Sequence, residues 1–143
     1  MTIFPNAKIN IGLNITGKRS DGYHNIESLF YPVGIKDALE FVVQGSGIDS
    51  DELTITGLPT DCRMKDNLVV KALNLLRKDF TFPPLKIHLH KSIPSGSGLG
   101  GGSSDAAFML RYLNRYFNLE LDTGTLSELS LMLGSDCAFF IRN

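Results

Sequence analysis

The chain has 143 residues, 43% of them apolar, and 14 Lys and Arg against 15 Asp and Glu give a formal net charge of −1. That length suits one domain with a real core, and the charge balance gives no electrostatic footing for nucleic acid or an anionic membrane surface. No apolar run is long enough to span a bilayer, the start MTIFPNAKIN lacks the apolar stretch of a secretory signal, and Cys62 and Cys137 form no CxxC pair, so a cytoplasmic protein with free thiols is expected.

From Ala7 to Ile15, apolar and polar residues alternate, which predicts a half-buried strand. Lys8, Asn10 and Asn14 then share one face, and Gly12 leaves a gap where a ligand or another backbone can approach. Ser20-Asp21-Gly22 marks a turn. Residues 25–33 and 38–43 read as strands joined by a turn at Gly34, and residues 53–56 as a short strand. Asp66-Asn67 offers a cap for a helix whose stripe is Val69, Ala72, Leu73 and Leu76. After Pro83-Pro84, residues 85–90 alternate as another strand. His88 and His90 share its polar face; with no Cys or carboxylate partner evident, they are expected to be polar-face residues and not metal ligands.

Beyond a glycine-rich stretch, Ala106, Leu110, Leu113 and Phe117 are spaced as the stripe of an amphipathic helix. Thr125 is expected to cap a second helix running through Leu133 and ended by Gly134. The apolar run from Cys137 to Ile141, after Asp136, reads as a buried strand. Mixed helices and strands, with antiparallel hairpins early in the chain, predict an α+β fold.

The stretch IPSGSGLGGGSSDAA runs from a predicted strand into a predicted helix. Glycines allow positive φ and place no Cβ before a ligand. A strand-to-helix loop also turns free backbone N–H groups toward one point, and the helix start adds its own N–H groups and the positive end of its dipole. Phosphate fits such a place. Ser103 and Ser104 can cap the helix, and either hydroxyl could reach a phosphate-bound Mg²⁺. A Walker A loop is excluded, because no Lys-Ser or Lys-Thr follows the glycines. Gly96-x-Gly98-x-x-Gly101 matches a dinucleotide fingerprint, which also needs an acid ending a second strand. Glu120 and Asp122 stand near the right distance, but LEL between two helices is a poor strand. A ligand-free flexible loop is the plain alternative.

Together with PNAKINIGLNITGKRSDGYHNIESLF before it and LGSDCAFFI after it, this loop makes the chain resemble the GHMP small-molecule kinases over essentially its whole length. The resemblance implies their N-terminal domain, an α+β fold shared with ribosomal protein S5 domain 2. It implies transfer of the γ-phosphate of ATP, carried with Mg²⁺, to a small alcohol. AKIN followed by DGYH points to a branch whose acceptor is the 2-hydroxyl of a methylerythritol unit linked to cytidine diphosphate, in non-mevalonate isoprenoid synthesis. By this resemblance Lys8 and Asp136 are catalytic. Pro94, Ser95, Gly96, Ser97, Gly98, Leu99, Gly100, Gly101, Gly102, Ser103 and Ser104 hold the ATP phosphates, and Asn67 and Lys91 border the adenine. Tyr23 and His24 hold the cytosine, while Asn10 and Asp136 lie beside the acceptor.

The chemistry is consistent with those roles. Phosphoryl transfer needs positioning, charge neutralisation and a destination for the hydroxyl proton. A carboxylate supplies the last, and a lysine beside it orients it and balances its charge. A tyrosine face can stack on a pyrimidine whose edge an imidazole reaches. Two alternatives remain open: a GHMP kinase for a sugar, homoserine or mevalonate-type alcohol, and a non-enzymatic RNA-binding module of the same fold. Two departures from the family pattern stand out. Ala138 occupies a position where the family commonly has proline. The chain also stops at Asn143, whereas family members continue into a second domain, so an N-terminal portion with little activity of its own is expected.

Overall fold

The computed structural model describes residues 2–18, 20, 22, 24–60 and 62–143. Four strands form the main sheet: β1 (Thr2–Ile3), β4 (Ala38–Val43), β5 (Glu52–Gly57) and β6 (Leu85–Lys91), in the order β1-β4-β6-β5. β4 runs antiparallel to β1 and β6, while β5 is parallel to β6. A parallel pair needs a crossover, and helix α1 (Leu68–Leu76) lies in the segment that supplies it. Asn67 caps α1 as its sequence predicts, accepting the Val69 N–H at 2.9 Å.

Alternation sorts β6 cleanly. Leu85, Ile87 and Leu89 are buried, and Lys86, His88 and His90 lie on the other face. There Thr56 Oγ1 hydrogen-bonds His88 Nε2 at 2.9 Å and His90 Nδ1 at 3.0 Å, so both imidazoles belong to a polar array on the sheet surface. The buried face packs on α1 and on α2 (Gly101–Tyr116), whose Ala106, Met109, Leu110 and Leu113 are fully buried. Each such leucine contributes about 1.5–3 kcal/mol by leaving water. Two shorter helices, α3 (Thr123–Leu131) and α4 (Cys137–Arg142), close the core. The architecture is α+β.

Strands β2 (Asn6–Lys18) and β3 (His24–Lys36) form a separate antiparallel ribbon. Among its described side chains only the root is buried, at Ala7 and Lys8. The strand predicted over residues 7–15 is present, but it is not half-buried: Ile9, Ile11, Leu13 and Ile15 are all exposed. Period-two alternation reports two faces, not what covers them. The predicted turn at Gly34 is also absent. β3 continues through it to Lys36, and the break is the single residue Asp37. β3 and β4 therefore belong to different sheets and are not a hairpin.

Two further readings are corrected. Residues 137–141 are helical, and the buried members Cys137, Phe140 and Ile141 show the i, i+3, i+4 spacing of a helix face. A short apolar run does not by itself distinguish strand from helix. At α3 the cap is Asp122 and not Thr125; its carboxylate accepts the Thr125 N–H at 2.8 Å. Ala138 lies in the first turn of α4, where N–H groups have no intrahelical partner and proline is tolerated. Alanine in its place needs no change of backbone.

Among the described residues, no helix is long and apolar enough to cross a membrane, and Cys62 and Cys137 are free thiols. The contrast between core and ribbon is measurable by urea denaturation. Leu113→Ala should lower the unfolding free energy by about 2–5 kcal/mol, and Leu13→Ala, on the exposed ribbon, should change it by less than about 0.5 kcal/mol.

Candidate functional site

The glycine-rich loop joins β6 to α2, as its sequence context predicts. The cap of α2 is Gly100, in the left-handed region at φ 73°, with no side-chain cap hydrogen bond. Ser103 and Ser104 therefore lie inside the first helical turns and do not cap. Gly100 is demanded twice over. Its backbone favours glycine, and a Cβ there would come within 3.1 Å of the Phe140 ring and 3.2 Å of Lys8 Cε. At Gly101 a Cβ would come within 2.8 Å of Ile93 Cγ2. Without a capping side chain, the helix start keeps free N–H groups and the positive end of its dipole. A cavity of about 360 Å³ opens onto it, lined by the loop on one side and by Lys8, Asn10 and Asp136 on the other.

Lys8 reaches this cavity from the buried root of the ribbon. Its backbone N–H donates to Leu99 C=O at 2.9 Å, so the strand and the loop are joined by their main chains. Its ammonium donates to Asn10 Oδ1 at 2.9 Å, lies 3.3 Å from Asp136 Oδ2 and sits 4.7 Å from the Phe30 ring centroid. A buried ammonium needs such partners, because losing its hydration without them is costly. Asp136 precedes α4 without capping it, which leaves its carboxylate turned to Lys8. The lysine and the aspartate stand 128 positions apart in sequence; the fold brings them into one ion pair.

Beneath the loop lies a second polar cluster that the sequence reading did not identify. Lys91 donates to Asp37 Oδ2 and, at 2.7 Å, to Asp105 Oδ2. All three side chains are buried. Burial drives the Asp105 carboxyl up to about 7 from an ordinary 3.8, against the pull of Lys91 and with the push of Asp37. The two carboxylates in turn raise Lys91 despite its own burial. Asp37 between two strand-forming segments, and Asp105 at the start of a helix, look in sequence like turn and helix-start residues; only the three-way meeting marks them.

The other predicted site residues fall in distinct places. Asn67 and Lys91 both line a second cavity of about 230 Å³ beside the loop, which also meets Ser95, Gly96 and Gly102. The Lys91 ammonium is engaged by its two carboxylates. Ser103 faces the first cavity, while Ser104 Oγ is buried without a hydrogen-bond partner. His24 is exposed at the far end of the ribbon, paired with Lys18 in the β2–β3 register and away from both cavities. Tyr23 lies outside the described residues.

Residues 67–143 match the family of GHMP kinases N terminal domains. Over all 143 residues the chain is 52% identical to a 4-diphosphocytidyl-2-C-methyl-D-erythritol kinase from Porphyromonas gingivalis and 55% identical to one from Bacteroides thetaiotaomicron, covering 52% of each. The chain thus spans about half the length of the curated relatives it matches. The crystal structure of a 4-(cytidine 5'-diphospho)-2C-methyl-D-erythritol kinase superposes with a TM-score of 0.79 at 35% identity, over 99% of this chain and 49% of that one. A mevalonate pyrophosphate decarboxylase from Streptococcus pyogenes, at 16% identity and a TM-score of 0.69, shares the fold.

The raised Asp105 carboxyl gives stability a definite pH dependence. Between an ordinary 3.8 and about 7, the folded chain binds more protons than the unfolded one. Stability therefore falls as pH rises through that window. Asp105→Asn keeps an oxygen for Lys91 and removes the titration. Thermal melts at a series of pH values should show a flatter profile for this variant and its largest relative gain above about pH 7.

Proposed function

Because the chain belongs to the GHMP kinase family, we propose that residues 1–143 form the ATP-binding domain of a kinase that phosphorylates the 2-hydroxyl of 4-diphosphocytidyl-2-C-methyl-D-erythritol. The observation that carries this reading is the Lys8–Asp136 ion pair, which faces the glycine loop across one cavity. That substrate is the one named for relatives 52–55% identical to the chain.

In this reading the loop and the open start of α2 bind the ATP phosphates through backbone N–H groups. Asp136 takes the proton of the acceptor hydroxyl. Lys8 holds Asp136 in place and balances negative charge as the phosphoryl group moves. Asn10, hydrogen-bonded to Lys8, borders the acceptor. The Ser103 hydroxyl, which lines this cavity, would offer an oxygen ligand to a phosphate-bound Mg²⁺, and that ion would neutralise phosphate charge. The purine is assigned to the second cavity, which Asn67 and Lys91 line. Asn67 Oδ1 is taken by Val69, which leaves the amide N–H groups of Asn67 as the donors it offers a base. His24, with Tyr23, is assigned to the cytosine.

The test is phosphoryl transfer by the full-length gene product from Mg·ATP to the cytidine-linked alcohol, read as a mass gain of one phosphoryl group. Lys8→Met and Asp136→Asn should each lower kcat by about 100-fold or more. Preferential transfer to homoserine or a mevalonate-type alcohol would refute the substrate assignment.

A further inference from the structure

Asp37 is the single residue between β3 and β4, where the chain leaves the ribbon and enters the sheet. Its backbone N–H donates to Pro5 C=O at 2.9 Å, which ties it to the root of β2. Its side chain is fully buried. Oδ1 accepts two backbone N–H groups, from Ser92 at 2.6 Å and Ile93 at 2.8 Å. Oδ2 takes the Lys91 ammonium, and Lys91 passes on to Asp105 in α2. One carboxylate thus grips the first residues of the loop directly, and the helix that ends the loop through one lysine.

The loop itself has little else to hold it. Between Pro94 and Gly100 the Ser97 hydroxyl donates to Pro94 C=O at 2.7 Å and accepts from the Leu99 N–H at 3.4 Å, and Leu99 C=O accepts from the Lys8 N–H. The entry is fixed from Asp37, just past the end of β3, and the exit from Lys8, within the buried root of the same ribbon. A buried cluster of one lysine and two acids is a poor way to gain stability alone, since desolvation offsets much of the attraction. It is an effective way to set direction, because each bond has a fixed geometry.

We propose that Asp37 is a positioning residue of the anion-binding loop, setting the course of its backbone without touching the ligand. This rests on the reading of the loop as the nucleotide site.

The test measures, by calorimetry on the full-length gene product, the Kd of a Mg²⁺-bound non-hydrolysable ATP analogue and, separately, of CDP. Asp37→Ala should weaken the ATP analogue about tenfold or more, the scale of one lost charge-assisted hydrogen bond, and leave CDP within about twofold. Asp37→Asn keeps an oxygen for Ser92 and Ile93 and should recover most of the loss. Equal weakening of both ligands in step with a lower melting temperature overturns the proposal, as does no change in either. If Asp37→Ala does not fold, Asp37→Ser, which is too short to reach both Ser92 and Lys91, decides: weaker analogue binding with CDP unchanged supports the role, and unchanged analogue binding overturns it. A wild-type protein that binds no ATP analogue refutes the functional reading and this inference together. Binding by the wild type that the truncated variant matches refutes the inference alone.

Discussion

The backbone hydrogen bond from the Lys8 N–H to Leu99 C=O ties the two walls of the cavity together. A loop of glycines and serines has few side chains with which to hold itself, and its glycines lose more freedom on ordering than other residues do. Its shape must come from neighbours. The bond at Leu99 supplies one constraint and places the Lys8 side chain opposite Asp136 at the same time. The close packing of Gly100 against Phe140 and the Lys8 stem follows from it. Main-chain geometry thus sets both the anion-binding wall and the charged wall.

Many local features are legible in the sequence, although two caps are not: Asp122 stands where Thr125 is expected, and Gly100 where Ser103 or Ser104 is. The alternation of β6, the stripe of α2, the Asn67 cap and the strand-to-helix placement of the loop all follow from spacing and capping chemistry within a few residues. Readings failed where the deciding fact lies elsewhere in space. The alternation at Ile9, Ile11, Leu13 and Ile15 gives a strand, yet nothing local says that its apolar side is left uncovered. Gly34 resembles a turn, but it falls in an irregularity of the ladder, and the pairs on either side of it, Ala7 with Val33 and Asn6 with Lys36, keep β3 on β2. The run from Cys137 to Ile141 fits either a strand or a helix on composition. Packing against α2 and α3 decides for the helix.

The candidate site divides in the same way. Lys8, Asn10, Asp136 and the loop were found through motifs, and the fold brings them around one cavity. Asp37 and Asp105 have no such signature. Each is an acid at an element boundary, the commonest place for one, and its meaning arises only when Lys91 lies between them. A buried charge cluster depends on residues 14 and 54 positions from Lys91. No periodicity in the sequence encodes that arrangement.

The ribbon is a cantilever. Its root is clamped in the core at Ala7 and Lys8, and its free end at Lys18 and His24 stands ten residues further along β2. At about 3.3 Å per residue, that is an arm of roughly 30 Å, so a tilt of about 10° at the root carries the end through about 5 Å. The two ends therefore obey different tolerances. A group that must meet a reacting atom gains from the fulcrum, where Lys8 sits and rotation barely displaces it. A group that must only grasp a distant part of a long ligand can ride the tip, where the same rotation becomes reach.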